Sequence, residues 1–268
     1  MRDDQFQRYR ADGFCLGDVV LSDADVEELR GELDRVIAER DKDVPQPVLL
    51  RNLSADPGKT VWQIVNIWQA SGPFQALLNK PGIADMAARL AGARELRIWH
   101  DQIQYKPAAV GGVNMWHQDS PYWPVLEPKT AQVTAWIALD DVDEENGCMW
   151  MVPKSHEWGV QVDFLHTLKA FDDMPSDFQR RSLEPVACPV RKGQVHFHQS
   201  LTWHGSNANR SGRPRRAVAL HFMTEETVRV SNGKSHPMEP FMKVASGEKV
   251  AGDVFPLVWQ GERHGAAV

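Results

Sequence analysis

The chain predicts an α+β fold, with helices gathered in its first third and a barrel or double-sheet jelly roll after about residue 95. Two observations carry this. Before that point apolar residues recur at three- and four-residue steps; after it, short alternating runs bounded by turn residues follow one another. In addition, no internal repeat, low-complexity tract or linker divides the sequence, so 1–268 reads as a single domain. Within it, 1–94 is expected to be mainly helical support, 95–230 the β core and 231–268 a C-terminal extension.

Each element has a local cause. Ser22 is placed to cap a helix, with Asp25 at the position that reaches back to the cap. Val26, Leu29, Leu33 and Ile37 then share one face while charges fill the other, until Pro45 and Pro47 end the region. Two shorter helices are expected over 73–78 and 81–90, each with a proline near its start. The 96–105 run alternates and stops before Pro107, and 131–139 alternates before an acidic, glycine-containing turn at 140–147. Segments 148–152, 186–190, 194–198 and 216–223 read as further short strands.

Composition excludes several classes. With 42% hydrophobic and 25% charged residues the chain is an ordinary globular one, not collagen, coiled coil, disordered or a disulfide scaffold. Its 30 Lys+Arg against 36 Asp+Glu argue against nucleic acid or an anionic membrane as partner. No apolar run approaches the roughly 18 residues of a membrane span, and the charged N-terminal stretch has no secretory apolar region. Cys15, Cys148 and Cys188 form no C-x-x-C pair, which excludes a zinc knuckle; they read as reduced thiols of a cytoplasmic protein. Nothing in the sequence points to an oligomeric state. Six of the ten tryptophans (Trp62, Trp68, Trp99, Trp116, Trp123, Trp136) lie in the half that carries the motifs below, as the lining of an aromatic pocket would.

The chemistry begins at Trp116-His117-Gln118-Asp119. In an extended segment residues two apart face the same way, so His117 and Asp119 can address one ion. These are two thirds of the 2-His-1-carboxylate triad of non-haem Fe(II) oxygenases. By itself the pattern decides nothing, since about one His-x-acid is expected by chance in this composition. Downstream, Leu201-Thr202-Trp203-His204-Gly205-Ser206 offers a second histidine and Arg215 follows; His196 and His198 are alternative ligands at period two. Two strands converging inside a barrel would bring His117, Asp119 and His204 to one face of a metal. An arginine deeper in the barrel would pair bidentately with a distal carboxylate of a chelating ligand.

The sequence resembles the phytanoyl-CoA dioxygenase (PhyH-like) family of Fe(II)/2-oxoglutarate-dependent oxygenases. The resemblance lies in 116–121, the strand through Trp136, the 147–156 segment ending Pro153-Lys154-Ser155-His156, and 193–222. One departure is Lys154, where the family commonly has glycine, which alters a turn and not the site. The resemblance implies a double-stranded β-helix (jelly-roll, cupin-like) core, with Fe(II) held by His117, Asp119 and His204. It further implies Arg215 on the C5 carboxylate of 2-oxoglutarate, Ser206 and Thr134 as helpers, Trp136 beside the cosubstrate, and O2 as the oxidant. His156 is structural by the same resemblance, and Arg213, next to Pro214, is expected to be solvated. An intact Asp119 argues against halogenation, because related halogenases replace that carboxylate.

Gln102 and Gln104 should face inward with His100, as cosubstrate or substrate contacts. Trp123, Tyr122 and His100 are the substrate-side candidates, with a helical segment around Trp62, Gln63 and Asn66 completing the wall. The expected activity is hydroxylation of a small or medium organic metabolite with release of succinate and CO2. Two other readings remain at this point: a zinc-type metallohydrolase, which would not need Arg215, and a catalytically silent metal-binding jelly roll.

Overall fold

The computed structural model describes residues 1–54 and 60–262. Four helices, Asp3–Asp12, Asp23–Ala38, Gly72–Leu78 and Ile83–Ala91, form the support expected of the first third. The Ser22 cap is present: its hydroxyl accepts from the backbone N–H of Asp25, whose carboxylate accepts from the backbone N–H of Ser22 at 2.8 Å. Val26, Leu29, Leu33 and Val36 are the buried face of that helix, and Ile37 is only half-buried. The first third also supplies three strands, Phe14–Val19, Leu49–Asn52 and Trp62–Val65, which sequence reading did not separate from the helices. They are short and join the ends of a sheet nucleated elsewhere, so neighbouring strands rather than local periodicity define them.

The larger sheet runs in the order Phe14–Val19, Gln194–Gln199, Gln132–Ala138, Arg215–Thr224, Glu95–Lys106, Trp62–Val65, Leu49–Asn52, with Leu257–Gln260 also paired to the 95–106 strand. The smaller sheet orders Val186–Cys188, Met149–Met151, His204–Ser206 and Asn114–His117. All these pairings are antiparallel. Along the chain, from Glu95 to Thr224, these strands alternate between the sheets, with one hairpin (149–151 with 186–188) inside the smaller sheet. Two sheets built this way must face each other, and the side chains between them confirm it. Trp136, Ala138, Ala217 and Ala219 of one sheet pack with Met149, Met151 and Cys188 of the other.

The opposite face of the larger sheet lies under the helices. Val133, Ala135, Ile137, Val218, Leu220 and Phe222 share one apolar cluster with Leu29, Leu33, Phe74 and Ala87. The central strands are thus buried on both faces, alternate residues serving different sides. No described helix is long and apolar enough to cross a membrane. The three cysteines are free and buried. Lys154 sits at φ 67°, a left-handed position that explains why glycine is favoured in that turn.

Candidate metal centre and its cavity

His204 lies directly across from His117 in the antiparallel pairing of their strands, and their rings sit 4.1 Å apart. Gly205 is what permits this close pairing: a Cβ there would stand 3.0 Å from the Asn114 carbonyl and 3.1 Å from the Trp116 backbone nitrogen. Asp119 arrives differently from the alternation argument. Its strand ends at His117, and Asp119 has right-handed helical dihedrals as the residue before a 3-10 turn over Ser120–Tyr122. Gln118 between them is buried, donating to the carbonyls of Gly159 and Leu201. The outcome is still convergence: one donor atom from each of His117, Asp119 and His204 lies within 4.8 Å of the others.

Hydrogen bonds set the chemistry of these donors. Nδ1 of His117 donates to the Met115 carbonyl at 2.8 Å, and Nδ1 of His204 to the Thr202 carbonyl at 2.9 Å. A carbonyl only accepts, so both protons are on Nδ1 and both Nε2 lone pairs are bare. These Nε2 atoms stand 3.8 and 3.5 Å from Oδ1 of Asp119, too far for good hydrogen bonds. Desolvation drives both imidazoles down to about 4, which keeps them as neutral ligands. Oδ2 of Asp119 is held from behind by the Thr134 hydroxyl at 3.0 Å and Nε2–H of His198 at 3.1 Å. Burial opposes the charge on Asp119, but His204 and the bond from His198 outweigh it and hold the carboxyl well below its usual range. Two bare nitrogens and one oriented carboxylate oxygen are the donor set of a facial triad.

Arg215 lies beyond the triad, fully buried. Its Nη2 donates to Ser206 Oγ at 3.1 Å, its guanidinium lies 5.6 Å from the centre of the Trp136 ring, and its Nε has no partner. No ion pair with a carboxylate is found for it among the described residues. Burial pulls it down to about 10, still cationic at neutral pH. An uncompensated buried guanidinium is costly unless an anion joins it, which is the fit expected for a cosubstrate carboxylate. Arg213, by contrast, is exposed and paired with Asp143 at 2.7 Å. Lys106 is a second fully buried basic side chain, held well below the ordinary lysine range by burial, and it donates to Ser206 Oγ at 2.7 Å and to the carbonyls of Ser206 and Asn207. Nothing local in the sequence marks it as buried.

Gln102 and Gln104 do face the cavity, each with a partner: Gln102 accepts from Gln63 at 3.0 Å and Gln104 from Asn114 at 2.5 Å. Thr134 sits on Asp119, so its hydroxyl positions a carboxylate of the candidate donor set. A narrow inner cavity bounded by these residues, Trp136 and Ser206 shares Gln102, Gln104, Asn114, His117, Asp119 and His221 with one of about 1080 Å³. The large cavity lies at the top of the usual range for small-molecule sites and admits more than a small metabolite. Trp123 and His100 line it, and Tyr122 stands at its rim, 45% exposed, with its hydroxyl 2.7 Å from Nε2 of His166. The wall expected from a helix near Trp62 is a strand, Trp62–Val65. Its alternation sends Gln63 and Val65 to the cavity, while Trp62 packs near Arg40 and buried Asn66 bonds the backbone N–H of Asp101. His221 and His236 line the cavity unannounced by any motif, and His198 proves to support Asp119. His196 stacks on Phe14.

A facial triad between two facing sheets, with a buried arginine beyond it, is the site plan of a non-haem metal enzyme. This chain belongs to the phytanoyl-CoA dioxygenase (PhyH) family, whose model matches residues 9–217. It is 26% identical over 248 residues to the ectoine dioxygenase of Bordetella parapertussis, covering 83% of this chain and 75% of that protein. To the peroxisomal phytanoyl-CoA dioxygenase of Bos taurus it is 26% identical over 238 residues, covering 82% and 67%. Among solved structures, the non-heme alpha ketoglutarate dependent carbocyclase SnoK from nogalamycin biosynthesis superposes with a TM-score of 0.77 at 27% identity, covering 97% of each chain.

Proposed function

We infer that this protein is an Fe(II)- and 2-oxoglutarate-dependent dioxygenase that hydroxylates an organic small molecule, releasing succinate and CO2, on a double-stranded β-helix core. The observation that carries this reading is the pairing of a preset neutral His/carboxylate/His donor set with a buried guanidinium that has no carboxylate of its own among the described residues. His117, Asp119 and His204 would hold the iron, which supplies the activation of O2 by electrons from 2-oxoglutarate. Arg215, oriented by Ser206 and flanked by Trp136, would take the distal carboxylate in a bidentate pair. Gln102 and Gln104 present amides to the inner cavity, where they can orient the cosubstrate. Thr134 and His198 hold Oδ2 of Asp119, which would leave Oδ1 free for the metal. Trp123, Tyr122 and His100 would bound the substrate and exclude water.

The test is anaerobic titration of the Fe(II) protein with 2-oxoglutarate, following the weak visible charge-transfer band, in wild type and Arg215→Ala. The expected result is a band in wild type that needs at least about 30-fold more ligand in the variant, as loss of a buried charge pair implies. Metal bound with no band at any ligand concentration overturns the reading.

A further inference from the structure

The large cavity is lined by four imidazoles besides that of His117. His166 is tied to the Tyr122 hydroxyl at the rim, and His100, His221 and His236 form a strip leading away from the metal centre. His221 begins it, with Nδ1 3.8 Å from Oδ2 of Asp119. His100 follows with ring centres 4.7 Å apart, and His236 lies 5.9 Å beyond that. Trp123 stands edge-on to His100 and His221, at 5.7 and 5.0 Å.

The protein assigns a tautomer to each ring. Nδ1 of His100 faces the Asp101 carbonyl at 3.1 Å, so it carries the proton and Nε2 is a bare acceptor. Nδ1 of His221 is 2.8 Å from the Thr134 hydroxyl, whose single proton is given to Asp119. His221 must therefore donate through Nδ1, and its Nε2 is a second bare acceptor. His236 is reversed: the backbone N–H of Met238 donates to its Nδ1 at 3.2 Å, which leaves the proton on Nε2. Desolvation holds His100 well below the usual imidazole range and pushes His236 down to about 4, so neither adds a charge at neutral pH. The other polar side chains on the wall are largely neutral as well, among them the amides of Gln63, Gln102, Gln104 and Asn114. Arg51 is the one Lys or Arg among the described lining residues, and its Nε is already bonded to Gln63 at 2.8 Å.

We propose that this cavity takes an uncharged, hydroxyl-bearing ring compound (a polyol, phenol or glycoside). Its hydroxyls donate to Nε2 of His221 and His100, a ring or carbonyl oxygen accepts from Nε2–H of His236, and an apolar edge of the molecule packs on Trp123. The reason is complementarity of both signs. Bare imidazole lone pairs attract hydroxyl protons and repel carboxylates and phosphates, and the described lining residues offer no cluster of cations to an acyl-CoA. The proposal rests on the oxygenase reading only for which end of the ligand reacts.

Calorimetric titration of the full chain, with and without anaerobic Fe(II) and 2-oxoglutarate, tests it. The probes are myo-inositol, naringenin and phlorizin, their O-methyl ethers, benzoate and palmitoyl-CoA. At least one hydroxylated probe should bind, and its methyl ether about 10-fold or more weaker, since each ether leaves an acceptor unpaired. His236→Phe should weaken that probe about 10-fold, His236→Gln, which keeps a donor, by less than about threefold. Neither variant should alter the 2-oxoglutarate titration. Preference for palmitoyl-CoA or benzoate, ethers that bind as well as their parents, or no binding by any hydroxylated probe overturns the proposal. Hydroxylated probes that bind the metal-free protein while the charge-transfer band is missing would overturn the oxygenase reading and leave this one standing.

Discussion

On the strand Arg215–Thr224, Val218, Leu220 and Phe222 face the helices, while Ala217, Ala219 and His221 face the space between the sheets. The neighbouring strand repeats the division, with Val133, Ala135 and Ile137 on one side and Thr134 and Trp136 on the other. The helix-facing side is aliphatic and aromatic and contributes stability through burial. The cavity-facing side sets Ala217 and Ala219, which leave room, beside Trp136 and the polar pair Thr134 and His221, with Thr134 also bonded to Asp119. Moving one residue along a strand therefore exchanges the stabilising role for the chemical one, and the two should separate under mutation.

His204→Ala is the severest test on the cavity side. It removes one of three donors, so Fe(II) binding and turnover should fall to background while the thermal midpoint stays within about 5 °C of wild type. A large loss of stability would mean that the cavity face also holds the fold. Leu220→Ala tests the opposite face: it should cost about 2–5 kcal/mol in urea unfolding. Iron affinity of the folded fraction should be unchanged.

Asp101 is the exception on the helix-facing side. It is fully buried, accepts from the backbone N–H groups of Ile67 and Trp68, and is raised to about 7 by desolvation. Between an ordinary carboxyl value and about 7, the folded chain holds a proton that the unfolded chain has lost. Its contribution to stability therefore falls as pH rises through that window. Asp101→Asn should remove that slope, so that the difference in stability between variant and wild type shifts by roughly 2–4 kcal/mol from pH 4 to pH 8. Equal pH profiles for the two proteins would mean that Asp101 is ionised throughout. The smallest effect is expected for Thr134→Val, which keeps the shape and removes the hydroxyl behind Asp119. Iron affinity should drop about 10-fold with little change in stability, as read by competition with a chelator.

Much of the site was legible because its residues sit in contiguous motifs. His117 and Asp119 share one segment, and His204-Gly205-Ser206 sits a short loop after a strand. Arg215 opens the last long strand, where the first residue of an inward-facing series can reach the space between the sheets. The strands 132–138 and 215–224 were legible for a related reason: each is long enough for its β-rich composition and bounding turns to show. The strands 14–19, 49–52 and 62–65 were not, being short and completed only by partners distant in sequence. Lys106 escaped notice because a lysine at the end of a strand looks the same exposed or buried.

Local pattern was sufficient for the mixed helix-and-sheet character and the capped helix at Ser22, while the candidate donors His117, Asp119 and His204 and the preference for Arg215 over Arg213 came from the family resemblance. The cap depends on neighbours a few positions away, where spacing converts directly into direction, whereas Asp119 reaches its place through a turn that alternation did not foresee. Folding had to supply the rest. The tautomers of His117 and His204 and the two hydrogen bonds behind Asp119 depend on groups brought together by strand pairing, as Thr134 and His221 are from 87 residues apart. So does the histidine strip from His221 to His236. A side chain's burial and proton position follow from what packs against it, and in a sheet built by strands crossing between two layers those contacts are long-range.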